Sequence, residues 1–133
     1  MGENPFVDVL HYYNNNREKA VHEIPQLIHK IRNLLNFFTI NNKILKEMIK
    51  SGKCCEKETR FYQSQLSHCS LVTEGLLMLR DELLRFYENE INKPLFPEFK
   101  RNKNRILNKA IPNHISKLII DSLDLSSKIK KEK

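Results

Sequence analysis

Between Glu58 and Ile91 the chain runs roughly thirty residues without a proline, and its apolar residues keep helical time. From Cys69 through Val72, Leu76, Leu79 and Leu83 to Phe86 the spacings are three, four, three, four and three, with Tyr62 one heptad earlier. That rhythm is one continuous seam on an α-helix, with a partner helix packed along it. Leu66, Leu71, Leu77, Met78 and Leu84 lie beside the seam and widen it. A stripe this wide suits the centre of a bundle better than an isolated two-stranded coil.

The partner is the stretch from Arg17 to Lys50. Leu27, Ile28, Ile31, Leu34, Leu35, Phe38, Leu45, Met48 and Ile49 form a broad stripe on it. Pro25 interrupts the first part. A proline in a helix interior costs about 3 kcal/mol and little in the first turn. The expected start is therefore His22 to Ile24, with Arg17 to Val21 as a preceding turn. Asn42 falls on the stripe, where a polar residue fixes register, faces a partner, or is exposed by a shifted helix end.

Ser51-Gly52-Lys53 breaks the pattern, and Gly52 suits a left-handed residue closing a helix. The short link makes the two long helices antiparallel neighbours, a helical hairpin. Before it, Asn4-Pro5 opens a short helix with Phe6, Val9, Leu10 and Tyr13 on one face, and Asn14-Asn15-Asn16 ends it. Beyond it, Pro94 and Pro97 stop the second long helix, and Leu95, Phe96 and Phe99 fold a linker against the hairpin's end. Pro112 starts a last helix, with Ile115, Leu118, Ile119, Ser122 and Leu123 on one side and Ile111 bracing its start. Residues 128–133, basic and with only Ile129 to pack, read as a frayed tail. The expected architecture is all-α: a helical bundle over residues 1–127, built on a long antiparallel helical hairpin with a short N-terminal helix and a C-terminal helix. Three glycines in 133 residues favour it over a sheet protein.

Chemistry is harder to find. Cys54, Cys55, Cys69 and His68 are the best metal-ligand set, but adjacent cysteines do not make the knuckle that a zinc ion needs, and Cys69 lies on the apolar seam. His11, His22, His29 and His114 have no sequence context that pairs them with a cysteine. Gly2, Gly52 and Gly75 are isolated, so there is no phosphate-binding loop. Asp81 and Arg85 read as an ordinary i,i+4 ion pair on the exposed face. The expectation is a protein that is not an enzyme and holds no metal or cofactor. An odd cysteine count, no transmembrane-length apolar run and no signal peptide point to an intracellular protein, cytoplasmic or nuclear.

The formal charge of +7 attracts nucleic acid, anionic lipid or an acidic protein face without choosing among them. Lys100, Arg101, Lys103, Arg105 and Lys109, interleaved with asparagines, could track phosphates. Only Phe99 offers a stacking ring, and no nucleic-acid module signature accompanies them. The first reading is therefore a non-enzymatic helical interaction module, a subunit or adaptor whose partner is a protein helix or a second copy. Nucleic-acid binding through the basic segment and the final lysines is the alternative, and an anionic membrane surface comes third. The hairpin carries more apolar positions than its seam can bury. Phe37, Leu77 and Leu84, off the main seam, are the candidate partner contacts.

Overall fold

The computed structural model describes residues 5–53, 55–90 and 111–131. They form α1 (Pro5–Asn15), α2 (Arg17–Lys50), α3 (Glu56–Glu90), α4 (Asn113–Ser122) and α5 (Ser126–Lys131), with no strand among them. The linker over residues 91–110, Cys54 and the last two residues lie outside the described set.

The hairpin is as its rhythm predicts. α2 and α3, 34 and 35 residues long, pack against each other and are each about 50 Å long at 1.5 Å rise per residue. Gly52 takes the left-handed conformation, with φ of 66°, just past the C-cap Ser51. The Ser51 backbone N–H donates to the Glu47 carbonyl, and its hydroxyl donates to the Met48 carbonyl at 2.7 Å.

α2 starts earlier than the proline suggested. It begins at Arg17, and Pro25 is interior. Asn16 is the whole joint between α1 and α2. Its side-chain amide donates to the Tyr12 carbonyl at 2.8 Å, and its own carbonyl accepts the Ala20 N–H at 3.0 Å. Upstream of Pro25, Ala20 and Ile24 are fully buried, and Glu23 receives a hydrogen bond from α1. That packing offsets the backbone bond a proline cannot make.

α1 packs on α2, α3, α4 and α5, and α4 packs on α3. All three short helices gather at the end of the hairpin away from Gly52. There they enclose Phe6, Val9, Tyr13, Ile24, Ile31, Leu76, Leu79, Leu83, Ile115, Ile119 and Leu123. At Gly75 α4 packs closely on α3: an added Cβ would stand 2.5 Å from the Ile119 side chain.

Three further expectations are corrected here. α4 buries Ile115, Ser116, Ile119 and Ile120, while Leu118 and Ser122 are exposed. The face is rotated because α4 must serve α3 and α1 together. Residues 126–131, of which 128–131 were expected as tail, form α5. α4 closes with Asp124 in the left-handed region (φ 59°) and the Leu125 N–H donating to the Ile120 carbonyl at 3.0 Å, which redirects the chain onto the bundle. Lastly, Asp81 is buried and accepts hydrogen bonds from Arg80, while Arg85 pairs with Glu82 at 2.8 Å. The C-terminal half of α3 has neighbours on several sides, so it has no truly exposed face at Asp81.

Candidate docking surface on the hairpin

The short helices cover only half of the hairpin. Among the described residues none beyond Ile31 on α2 and before Cys69 on α3 is buried, and there the two helices form an arm packed only on each other. Arm positions that face the seam, such as Leu34, Phe38, Leu45, Tyr62 and Leu66, are half-buried. Asn42 is among them, and its Oδ1 is buried without a hydrogen-bond partner among the described residues.

Large apolar side chains also face outward here. Phe37 is 57% exposed, Ile40 60%, Ile44 47% and Phe61 59%. Ile44 and Phe61 each lie about one and a half turns from the loop, so they are level with each other. Handedness then sets their direction. In an antiparallel pair of right-handed helices, positions a quarter-turn or more to one side of the α2 seam and Phe61 on α3 fall on the same flank. Phe37, Ile44 and Phe61 therefore share a flank, and Ile40 lies at its outer edge.

Charge is distributed as unevenly as apolarity. From Asn33 to Asn42 and from Phe61 to Thr73 there is no Asp, Glu, Lys or Arg. Counted back from the loop, these two stretches lie side by side and form a charge-free belt around the arm. In a chain that is 29% charged, about seven charged side chains would be expected over that length, and depletion of charge marks the core of interfaces. The exposed polar positions of the belt are instead Asn33, Asn36, Thr39, Gln63, Gln65, His68 and three serines. Charges return at the tip, with Lys43, Lys46, Lys50, Lys53, Lys57 and Arg60 outnumbering Glu47, Glu56 and Glu58. A shallow groove of about 410 Å³ runs over Leu66, Ser67, Ser70, Leu71 and Glu74.

The three candidate contacts separate. Phe37 is on the exposed flank of the arm. Leu77 is half-buried. Leu84 is 1% exposed, a member of the bundle core, and offers nothing to a partner. A position off the seam is not thereby outside, because α3 has α1 and α4 as well as α2 around it at that end. Ile40, Ile44 and Phe61 were missed. For Ile40 and Phe61 the signal is the run of uncharged residues rather than the apolar period, while Ile44 lies beyond that run, between Lys43 and Lys46. Lys100, Arg101, Lys103, Arg105 and Lys109 lie outside the described residues.

Titratable groups are few and structural in their surroundings. The Tyr13 hydroxyl donates to Glu23 Oε1 at 3.0 Å, and Lys128 of α5 forms an ion pair with the same oxygen. Burial, then the charge of Glu23, pushes the Tyr13 phenol far up. Burial alone would raise Glu23, but the hydrogen bonds from Lys128 and Tyr13 outweigh it and hold the carboxyl below its usual range. Cys69 is buried, which raises its thiol, and Cys55 is exposed, with its thiol donating to Glu58 at 3.3 Å. Among the described residues no three His, Cys, Asp or Glu side chains converge as a metal site, and no helix is long and apolar enough to cross a membrane. Comparison of the chain with protein-family models, with curated proteins and with solved structures finds no match.

Proposed function

We propose that this protein is a non-enzymatic helical interaction module, a subunit or adaptor of a larger intracellular complex, and that the arm is the part that engages its partner. The observation that carries this reading is the charge-free belt with Phe37, Ile40 and Phe61 exposed on it. Apolar side chains at helical spacing on an uncovered face are what a helix-in-groove or bundle contact uses. An exposed cluster of this kind on one half of a molecule, beside a well-covered half, supports a docking role.

The test is the native mass of the protein in extract of its own cells. Sedimentation should place the wild-type chain well above its 15.8 kDa. Ile40→Glu should return it toward that mass. A wild-type chain sedimenting as a monomer would overturn the reading. Collapse of the large species on nuclease treatment would overturn it too, in favour of nucleic-acid contact through Lys100, Arg101, Lys103, Arg105 and Lys109.

A further inference from the structure

We infer that the arm opens as a unit of its own while the bundle stays closed, and that the charge-free belt is where it gives way; this goes beyond the interaction reading above and holds for the free chain, whatever its partner. Three observations converge on the belt.

The first is local. In residues 33–42 of α2 all but Leu34 and Leu35 are of types that form helix poorly, and so are five of the eight residues 61–68 of α3. Neither stretch has a charged side chain, so no ion pair three or four residues apart can form within it to support the helix. Such pairs lie outside the belt, Arg60 with Glu56 on the loop side and Arg85 with Glu82 in the bundle, both at 2.8 Å.

The second is tertiary. A helix with little local preference is held by the packing of its apolar face. In the belt each helix packs only on the other among the described residues, and the side chains that meet across the seam, Leu34, Phe38, Tyr62 and Leu66, are half-buried. Toward the bundle the same seam is closed over, and Ile28, Ile31, Val72 and Leu76 are buried.

The third is a defect in the seam. Asn42 stands on the α2 stripe, seven residues after Leu35 and seven before Ile49. Counted back from the loop, it is level with α3 between Tyr62 and Leu66. Its Oδ1 is shut off from water and has no hydrogen-bond partner among the described residues. A buried acceptor in that state has lost its hydration with nothing in return, and opening the seam restores it.

Beyond the belt the tip cannot hold itself. Residues 43–50 and 56–60 are richer in strong helix formers, but both runs are shorter than the roughly 12–15 residues at which a helix begins to stand alone in water. The tip therefore opens with the belt, and Leu34, Phe38, Leu45, Tyr62 and Leu66 are released to solvent together. The bundle, where α1 and α4 pack on α3, does not follow.

Native-state hydrogen exchange on the purified full-length chain tests this. Amides of residues 33–50 and 60–68 should share one protection level, at least about a hundredfold below that of residues 24–31 and 72–87. Protection that climbs steadily from Gly52 to Ile31 would mean fraying from the loop and would overturn the arm as a unit. Ile115→Val loosens only the bundle, so it should speed the bundle amides about fivefold and leave the arm amides unchanged. Arm amides that quicken in step with the bundle would show that the arm opens only in global unfolding, and that result sinks the inference. Asn36→Ala combined with Thr39→Ala, at two exposed positions, should slow the arm amides about tenfold through helix preference alone. Asn42→Leu should slow them at least about tenfold by removing the orphaned acceptor. If neither variant slows them, the belt is not where the arm gives way.

Discussion

Leu79 and Ile44 belong to the same two-helix hairpin, and only one of them is covered. Around Leu79 the hairpin is wrapped by α1, α4 and, through α1, α5. Around Ile44, among the described residues, α2 packs only on α3. Both ends obey one apolar rhythm, so the rhythm cannot be the cause of the difference. The cause is how many neighbours each end has. A side chain on the seam is half-covered by one partner helix, and it becomes core only when a third and fourth helix close over it. Full burial of a leucine is worth about 1.5–3 kcal/mol relative to full exposure, so the added cover contributes roughly half of that. The stability of this protein therefore resides at one end, and its free surface at the other.

The sharpest way to break the comparison is to truncate the same kind of side chain at both ends. Leu79 is fully buried, and Leu79→Ala should cost about 2–5 kcal/mol in chemical denaturation. A cost below about 1 kcal/mol would mean that the short helices do not cover α3 as described.

Gly75→Ala probes how closely α4 is seated. The new methyl group meets the Ile119 side chain at 2.5 Å, with Ile111 and Phe6 in ordinary contact at 3.6 and 3.9 Å. Overpacking of about 1–3 kcal/mol competes with a helix-propensity gain of about 1 kcal/mol, so a net loss of about 1 kcal/mol is expected in the same denaturation experiment. A stabilised variant would show that α4 can slide away freely.

A smaller, local effect follows from Glu23. Its carboxyl is held below the usual range by Lys128 and Tyr13, so the contact is at full strength at neutral pH. It is lost as pH falls below the ordinary carboxylate range and through that lowered value. Backbone amide exchange at Ile129 should accelerate in that acid window before the rest of the bundle opens. Glu23→Gln should remove this acid-dependent change.

The least effect belongs to the arm. Ile44→Ala should shift the unfolding of the monomer by under about 0.5 kcal/mol, because the side chain is already about half in water. If it costs as much as Leu79→Ala in dilute solution, the arm is not an uncovered surface.

The hairpin, its loop and the first helix were legible because a period sustained over thirty residues leaves one solution. The covered half was not, since α1 and α4 are short amphipathic pieces whose docking end no local pattern encodes. Leu84 shows the consequence. Its place beside the seam is real, but its burial depends on helices distant in sequence. α5 was hidden for a related reason: six residues, three of them lysine, are too few to show a period, and an ion pair to Glu23 is what ties them down. Pro25 misled because a propensity cost was weighed before the burial of Ala20 and Ile24 could be seen. Of the exposed flank, Phe37 is legible in the sequence, Ile40 and Phe61 are marked by missing charge rather than by repeating leucines, and Ile44, between Lys43 and Lys46, carries neither signal.

The ion pair between Glu23 and Lys128 joins residues 105 positions apart. During synthesis α2 and α3 can zip together as soon as both have left the ribosome, because the loop between them is short. The covered end has to wait. Phe6, Ile24, Leu79 and their neighbours stay without their lid until residues 111–131 have been made. For that interval the nascent chain presents two apolar surfaces, one temporary and one lasting. Chaperones acting on this protein would meet both, and only the temporary one disappears when translation has passed Lys131.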